Sequence, residues 1–379
     1  MPKNKTFCIK PWTHGCIKTN GDILLCCKSF EQTTYNLKTH TIQEWWNSDF
    51  VTNVRKQFLS NQQPDVCRGC FEQEEAGIDS LRNISNREYK IFEQYADKTI
   101  AHLELPKNAP IEVELQLTNL CNLKCLTCIE SDSSSILSEN KKLKISTSNQ
   151  KDYSITTNEI KQLKEYLHTQ PRLIILRGGE PMIVPEIKEL LQYAADNNLT
   201  DKTIINFVTN GTRFDQQWFN ILSKFKQVRI QLSVDGIDKV GEYIRYGSNW
   251  ELIQTNAKWM STIPEVNLFI HATLSNLNIL SIGNLVNWCD ENNYYFQYDT
   301  VIKPDQFNPS NLPYKLLDLA RERLSTINNP IAKQIMLISH NKLNDAYWNK
   351  FKDEITMRDQ IRSNSILSVI PELEPYWHD

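Results

Sequence analysis

The chain has 379 residues, enough for two or three domains with cores of their own. Its 42 Lys and Arg residues against 45 Asp and Glu residues give a net charge of −3, which excludes the strongly basic field of most nucleic-acid-binding proteins. No apolar run approaches the roughly 18 residues of a membrane span, and the first residues lack the apolar stretch of a signal peptide. The sequence therefore predicts a folded cytoplasmic protein without a membrane partner.

Cysteine is the most unusual residue count, at 10, and only Cys289 lies beyond residue 130. Because structural disulfides are rare in the cytoplasm, clustered cysteines indicate metal or redox chemistry. We predict a small Cys-rich α+β domain over residues 1–105, an α/β domain over 106–305 and a helical extension over 306–379. Cys289, which has no neighbouring cysteine, is expected in the core of a helix.

A hairpin is predicted near the start of the chain. The Asn-Gly pair at 20–21 lies between two strand-like runs, which is typical of a two-residue turn. Such a turn pairs Thr19 with Asp22. Because side chains alternate along a strand, Cys26 and Cys27 then point to opposite faces.

Six predicted strands alternate with helices between residues 110 and 303. A capping box of Thr156 and Glu159 begins one helix, Pro185 suits the first turn of the next, and a third lies around Trp250. This alternation predicts βα units with a parallel sheet. The strands are 111–117, 173–177, 203–209, 228–234, 267–274 and 294–301. The Ser-, Lys- and Asn-rich stretch at 131–150 is predicted to be a long polar loop.

Several of these strands carry one polar face, with Glu114, Gln116, Asn206 and Gln231 among its residues. Parallel strands buried on both sides normally form continuous apolar runs. A polar face therefore favours a partial (β/α)6 TIM-like barrel with a wet or ligand-filled lumen over an open doubly wound sheet. His271 either faces this lumen or is a core histidine with satisfied hydrogen bonds.

Three cysteines directly follow the first barrel strand, with the spacing Cys121-x3-Cys125-x2-Cys128. Three thiolates leave one position open, either at one iron of a 4Fe-4S cluster or at a catalytic zinc ion. The carboxyl ends of barrel strands are also where such folds place their chemistry. The spacing by itself leaves both metals open.

Two further strand ends carry polar or flexible residues. Gly178 and Gly179 precede Glu180 at the end of the second strand, where backbone without side chains allows a ligand to approach closely. The segment Ser233-Val234-Asp235-Gly236 ends the fourth strand, and Arg245 follows it.

In this order, the three motifs resemble those of the radical S-adenosylmethionine (SAM) superfamily over roughly residues 111–303. The resemblance implies a SAM-binding 4Fe-4S cluster whose open iron is chelated by SAM. The implied residues are Cys121, Cys125 and Cys128 for the cluster, Gly178, Gly179 and Glu180 for the methionine amino group, Ser233 for the ribose, and Arg245 for the cofactor.

A second metal site is predicted from the N-terminal cysteines. Four thiolates from a hairpin and a C-x2-C knuckle suit either a structural zinc ion or a fully ligated iron–sulfur cluster. The spacing of Cys8, Gly21 and Cys26, followed by the knuckle, resembles the auxiliary-cluster module called twitch or SPASM. This resemblance implies Cys8, Cys26, Cys67 and Cys70 as ligands. Cys16 and Cys27 are alternative ligands or small buried side chains.

The expected function is that of a radical SAM enzyme, an oxidoreductase or modifying enzyme. The resemblance implies reductive cleavage of SAM to a 5′-deoxyadenosyl radical that abstracts hydrogen from a polar substrate, with a peptide or protein side chain as the first candidate. A one-electron donor such as flavodoxin or ferredoxin is the expected partner. The alternatives are radical modification of a nucleotide or small metabolite, and a non-catalytic zinc-binding interaction protein.

Overall fold

The structure is a computed structural model that describes residues 5–29, 34–77, 79–90, 109–146, 153, 155–338 and 345–377. Its strands are β1 (His14–Ile17), β2 (Ile23–Leu24), β3 (Glu112–Leu115), β4 (Lys124–Cys125), β5 (Leu173–Leu176), β6 (Ile204–Thr209), β7 (Gln227–Ser233), β8 (Arg245–Tyr246), β9 (Val266–Leu274) and β10 (Tyr295–Thr300).

The helices alternate with these strands over much of the chain. They are α1 (Lys10–Thr13), α2 (Ile42–Trp46), α3 (Asp49–Leu59), α4 (Arg68–Glu75), α5 (Leu81–Lys90), α6 (Ser134–Lys142), α7 (Thr157–Leu167), α8 (Pro185–Asp196), α9 (Gln216–Leu222), α10 (Asp238–Ile244), α11 (Trp250–Met260), α12 (Ile282–Glu291), α13 (Tyr314–Ser325), α14 (Pro330–Ile335), α15 (Asp345–Arg362) and α16 (Ile366–Val369).

The chain divides into two compact units. The first unit comprises Met1–Thr118, Tyr153–Asn206 and Lys224–Gln227. The second unit comprises Asn119–Asp152, Phe207–Ser223 and Val228–Asp379.

In the first unit, neighbouring strands follow the order β2-β1-β3-β5. The hairpin strand β1 pairs antiparallel with β2 and parallel with β3, so that His14 lies opposite Glu112 and Ile17 opposite Leu115. Strand β3 in turn pairs in parallel with β5. The N-terminal hairpin therefore extends the sheet that begins with the first barrel strand.

In the second unit, β7 and β10 pair in parallel with β9 on either side of it. A separate antiparallel pair joins β4 to β8, with Lys124 opposite Tyr246 and Cys125 opposite Arg245. Helix α12 follows β9 and buries Cys289 completely, which confirms the predicted core position of this cysteine.

The predicted elements of the α/β region are confirmed. Each of the six predicted strands contains an observed strand or overlaps it within a residue, and Thr156 and Glu159 form the capping box of α7. Pro185 begins α8, Trp250 begins α11, and residues 314–325 and 345–362 are helical. These parallel strands followed by helices fit the predicted partial barrel, and the C-terminal region is helical as expected.

The predicted register of the hairpin is wrong by one residue. Ile17 pairs with Ile23, and Lys18 N donates to Asp22 O over 2.9 Å, which leaves a three-residue loop instead of two residues. Gly21 takes φ +90° in this loop, and the Asn36 side chain donates to Asn20 O over 3.0 Å. Contact with a segment 16 residues away in sequence thus fixes the turn, and the local dipeptide does not.

The predicted polar loop at 131–150 is also wrong in its first half, because Ser134–Lys142 is the helix α6. Ser133 accepts a hydrogen bond from Ile136 N and begins the helix, while Ile136 and Leu137 are buried. Only these two positions of the helix are apolar. The polar composition of the segment therefore hides the helical pattern in the sequence. Residues 147–150 of the predicted loop lie outside the described part of the chain.

Within the part of the chain that the structure describes, we find no helix with the length and apolar character needed to cross a membrane.

Two glycines of the first unit offer a test of backbone geometry. Gly178 has φ +88°, and a Cβ added there would lie 2.9 Å from Thr118 O, whereas a Cβ at Gly77, with φ +76°, meets nothing within 4 Å. We expect Gly77→Ala to cost about 1 kcal/mol through its left-handed conformation alone. Gly178→Ala should cost about 3 kcal/mol, because the clash with the backbone oxygen adds to that strain. Denaturant unfolding of both variants measures the difference, and equal costs would contradict this geometry.

Candidate functional site

The cysteine loop of the second unit is held by the short strand pair β4 and β8. Cys125 lies in β4, opposite Arg245, and Leu126 N donates to Ile244 O over 2.9 Å beyond it. Cys128 N donates to Cys125 O over 3.2 Å, which curls the third cysteine back toward the second. The strand pair therefore fixes the middle and the end of the loop.

Helix α6 fixes the beginning of the same loop. Cys121 N donates to Ser134 Oγ over 3.3 Å, and Ser135 Oγ donates to Cys121 O over 2.5 Å. Both backbone groups of the first cysteine are thus bound by the first turn of the helix. The sequence pattern did not predict this role, because the serines lie in the stretch expected to be a loop.

Burial disfavours the thiolate form of the loop cysteines. It raises the pKa of Cys125 to about 12, with Arg245 acting in the opposite direction and the nearby Cys121 adding to the rise. Burial, together with Cys125, also raises the pKa of Cys128 well above its ordinary value. A bound metal cluster reverses this balance, because its positive charge stabilises deprotonated thiolates. Three thiols close enough to shift one another's pKa suit the donor set of an iron–sulfur cluster.

Arg245 lies against both a cysteine and a carboxylate. Its Nη1 is 4.0 Å from Cys125 Sγ, and its Nε is 2.9 Å from Asp235 Oδ2. Asp235 is completely buried, and its Oδ1 accepts the backbone N–H of Thr273 over 2.7 Å. The sequence analysis gave Asp235 no role of its own; its place two residues beyond the carboxyl end of β7 was the available signal. Ser233 is the last residue of β7 and is partly exposed.

The glycine segment lies in the first unit, directly after β5. Gly178 and Gly179 have φ +88° and +42°, so this turn depends on residues without a Cβ. Glu180 is buried, and its Oε1 accepts the backbone N–H of Met182 over 3.0 Å. That hydrogen bond fixes the carboxylate at the start of a short 3-10 turn.

The N-terminal cysteines of the predicted auxiliary site also lie in the first unit. Cys8 precedes α1, Cys26 follows β2, and Cys67 and Cys70 flank the start of α4. Cys8 and Cys70 are buried, while Cys26 and Cys67 are partly exposed.

Side chains of helix α5 bind the backbone on both sides of Cys8. Asn86 donates to Phe7 O over 2.8 Å and accepts from Ile9 N over 2.9 Å, so it binds both neighbours of Cys8. Arg82 donates to Phe7 O over 2.9 Å and forms an ion pair with Glu74 of α4. The knuckle helix and the Cys8 segment are thereby fixed to the same helix.

The four predicted auxiliary ligands interact electrostatically with one another. Burial raises the pKa of Cys8 to about 12, with contributions from Cys26 and Cys70. Burial also raises the pKa of Cys67, and the charges of Cys8, Cys26 and Cys70 add to that rise. The structure therefore brings these four thiols into one neighbourhood.

Over the described residues, no group of three or more His, Cys, Asp or Glu side chains is arranged to hold a single metal ion. A zinc ion requires each sulfur within about 2.3 Å of one point. A cubane places each ligand on a different iron and so accepts sulfurs that lie farther apart.

Glu114 acts on the two alternative ligands, Cys16 and Cys27. Both have a pKa raised by burial first and by the charge of Glu114 next. Cys16 lies on β1 opposite Glu114 of β3, with its side chain fully buried.

The polar face of β3 is buried and paired with charged groups. Arg172 Nη2 lies 2.7 Å from Glu112 Oε1, and Arg177 Nη1 lies 3.5 Å from Glu114 Oε1. Gln116 Nε2 donates to Glu114 over 2.7 Å. The ring of His14 lies between the two carboxylates, with Nδ1 3.9 Å from Glu112 Oε2 and Nε2 4.0 Å from Glu114 Oε2. In the second unit, His271 Nε2 lies 3.1 Å from Asp299 Oδ2 on the neighbouring strand, so it has an acidic partner.

Two parts of the chain match known protein families. Residues 115–278 match the radical SAM superfamily, and residues 8–71 match an iron–sulfur cluster-binding domain named SPASM. A radical SAM domain implies a 4Fe-4S cluster and SAM as cofactors, and a SPASM domain implies auxiliary iron–sulfur binding.

Three similar proteins share between 26 and 28% identity with parts of the chain. The mycofactocin maturase MftC of Mycobacterium tuberculosis is 27% identical over 156 residues, which is 41% of this chain and 35% of MftC. The AdoMet-dependent heme synthase of Methanosarcina barkeri is 28% identical over 130 residues, 34% of this chain and 32% of the synthase. The sporulation killing factor maturation protein SkfB of Bacillus subtilis is 26% identical over 191 residues, 48% of this chain and 40% of SkfB.

These matches span between 32 and 40% of the length of the three relatives. The radical SAM match over residues 115–278 includes the cysteine loop, and the SPASM match over residues 8–71 includes all four predicted auxiliary cysteines. Residues 115–278 therefore form a radical SAM domain, and residues 8–71, which precede it, form an iron–sulfur cluster-binding SPASM domain.

Proposed function

We propose that the protein is a radical SAM enzyme in which Cys121, Cys125 and Cys128 hold a 4Fe-4S cluster, called here the loop cluster. The observation that carries this proposal is the fixed loop itself: three partly exposed thiols held by α6 and the β4–β8 pair, with a guanidinium 4.0 Å from Cys125 Sγ. Three ligands leave one iron open for a cofactor. The match of residues 115–278 to the radical SAM superfamily supports the same assignment.

The cofactor contacts proposed for SAM come from residues outside the loop. Glu180 would bind the methionine ammonium, beside the bare backbone of Gly178 and Gly179, while Ser233 would contact the ribose. When bound, the loop cluster and SAM would supply an electron and a 5′-deoxyadenosyl radical that takes hydrogen from the substrate.

Arg245 has two roles in this proposal. Its positive charge next to Cys125 favours the thiolate, and its ion pair with Asp235 keeps the guanidinium in place. Because Asp235 is itself bound to the backbone of β9, the orientation of Arg245 depends on the sheet.

The second cofactor proposed is an auxiliary iron–sulfur cluster on Cys8, Cys26, Cys67 and Cys70. The mutual electrostatic effect of these four thiols supports that set. Cys16 and Cys27 stay the alternative ligands, because the charge of Cys26 acts on both of them as well as that of Glu114. Four protein ligands would close this cluster, so its role is to carry an electron or to sit beside the substrate.

We propose a polar substrate, with a peptide or protein side chain as the preferred class and a flavodoxin or ferredoxin as electron donor. Similarity to a maturase and to a maturation protein supports the modification of a precursor. The radical modification of a small metabolite is the second candidate, because the chain is also similar to a heme synthase.

Metal content tests the cofactor assignment. After anaerobic reconstitution, the wild-type chain should hold about eight irons, because each of two cubanes contains four. Cys125→Ala should hold about four irons and should produce no 5′-deoxyadenosine under reducing conditions. Cys289→Ala, which alters a buried cysteine of α12, is the matched control and should keep both properties.

Zinc in place of iron would instead identify a zinc-binding protein. Formation of 5′-deoxyadenosine by Cys125→Ala would show that this cysteine does not hold the reacting cluster.

The reduction potential of the loop cluster tests the role of Arg245. Arg245→Met removes a positive charge next to Cys125 and leaves the buried Asp235 uncompensated. Both changes disfavour the additional negative charge of the reduced cluster, so we expect a lower potential. Arg245→Met combined with Asp235→Asn removes the two charges together and should lie closer to wild type. Potentiometric electron paramagnetic resonance (EPR) measures both, and an unchanged or higher potential in Arg245→Met would contradict the assignment.

The substrate class is tested by mass spectrometry. Anaerobic incubation with a pool of candidate peptides and a pool of metabolites, each with SAM and a reductant, should change the mass of a peptide. The change should be missing in reactions with Cys125→Ala. A mass change confined to the metabolite pool would favour the second candidate function over the first.

A further inference from the structure

A buried ion-pair network connects helix α15 to helix α6, which precedes it by more than 200 residues in sequence. Arg358 Nη1 binds Glu139 Oε2 over 2.5 Å across 219 positions, and Arg362 Nη2 binds the same oxygen over 2.6 Å. Arg358 also pairs with Glu354 over 2.6 Å. We call Glu139, Glu354, Arg358 and Arg362 the Glu139 network.

The network is almost entirely removed from water. The side chains of Glu139, Arg358 and Arg362 are 1%, 3% and 2% exposed. A buried carboxylate is tolerated only when it is paired, and removal of one partner leaves an uncompensated charge in the interior. The two guanidinium groups compensate the two carboxylates, and the half-exposed Lys124 Nζ also lies 3.9 Å from Glu139 Oε1. The network is therefore stable as a whole, and the loss of one buried member weakens it sharply.

Arg362 also binds the cysteine loop directly. Its Nη2 donates to the backbone oxygen of Lys124 over 2.8 Å, and its guanidinium lies 4.7 Å from the ring centroid of Tyr246. Lys124 and Tyr246 are the opposed residues of the β4–β8 pair. One side chain of α15 therefore contacts both strands that carry Cys125 and Arg245.

A second contact of α15 reaches helix α10, which directly precedes β8. Tyr243 Oη donates to Asp359 Oδ1 over 2.7 Å, two residues before β8 begins. Glu139, in turn, belongs to α6, whose first turn binds both backbone groups of Cys121. The loop is thus tied to the same helix at two places, at Cys121 through α6 and at Lys124–Cys125 through β8.

Apolar packing between the loop and α15 is incomplete near the third cysteine. A cavity of about 620 Å³ lies there, and its walls include Cys128 and Leu126 of the loop together with Met357 and Arg358 of α15. Polar contacts, which are directional, therefore carry the attachment on this side.

From this geometry we propose that Arg358 and Arg362 are positioning residues for the loop cluster: they order the cysteine loop through Glu139 and the Lys124 carbonyl before any cofactor binds. The proposal rests on the proposed function for the identity of the cluster, but the order of the loop is a property of the chain itself. Helix α15 is then a part of the cluster site and not only a cover of the fold.

Hydrogen exchange of the metal-free protein tests the proposal without any cofactor. In Arg362→Met, which keeps the apolar stem, amides of residues 121–128 should exchange about tenfold faster or more, while β1–β3 remain protected. Arg323→Met is the matched control, since Arg323 also pairs with one carboxylate, Glu372, and donates to one backbone oxygen, that of Leu280. The control should leave exchange in 121–128 at the wild-type rate.

Reconstitution adds a spectroscopic readout. Arg362→Met should fall from about eight irons toward about four, with loss of the EPR signal that responds to added SAM and retention of the auxiliary signal. Arg362→Lys keeps the charge but not the second donor, and should be intermediate. A wild-type chain that binds no iron would refute the proposed function, while the exchange comparison would still decide the role of the network.

Wild-type exchange in 121–128 and full iron content in a folded Arg362→Met chain would overturn the proposal. If Arg362→Met exchanges rapidly throughout, Arg362→Lys decides instead: faster exchange confined to the loop supports the proposal, and wild-type exchange in the loop overturns it.

Discussion

The parallel pairing of β1 with β3 is the interaction on which the first unit depends. It adds the N-terminal hairpin to the sheet of the first barrel strand, with Ile17 opposite Leu115. Cys26 lies two residues beyond β2, so the pairing places it with respect to β3, while α1 connects the α5-bound Cys8 segment to β1. A module that precedes the barrel in sequence is thereby built as a continuation of the barrel sheet.

The same pairing covers carboxylates that would otherwise be costly to bury. Glu112 lies opposite His14 and is bound by Arg172, which together hold its pKa at about 2 against the opposing effect of burial. Glu114 has a lowered pKa despite its burial, with Arg177 as the largest favourable influence. The polar face that suggested a wet lumen is, along β3, a set of charges satisfied by neighbouring side chains.

The repeating features of the fold could be predicted from the sequence because they depend on local patterns. The capping box of Thr156 and Glu159 needs only residues three apart, and alternation within each strand is visible in a few positions. The hairpin register could not be predicted from the Asn-Gly pair, because the turn is bound by Asn36, which lies 16 residues away. Helix α6 was missed for a related reason: its position depends on Glu139, whose partners lie more than 200 residues away.

The site divides in the same way. Cys125 and its two neighbouring cysteines follow a spacing that local sequence displays, whereas the carboxylate beside Arg245 and the donor to the Lys124 carbonyl come from distant segments. The spacing of cysteines in a sequence can identify the residues that bind a metal. The groups that orient those residues come from segments that only the tertiary structure brings close.

The sequence separation of the Glu139 network has a consequence for biosynthesis. Proteins are made from the N-terminus, and segments fold as their partners become available. The four predicted auxiliary cysteines and the helices that hold them are complete early in translation, whereas the loop at Cys121–Cys128 gains its hydrogen bond from α15 only when Arg362 has been made. The two groups of cysteines therefore become ordered at different times on the ribosome, although they lie within the first 128 residues of one chain.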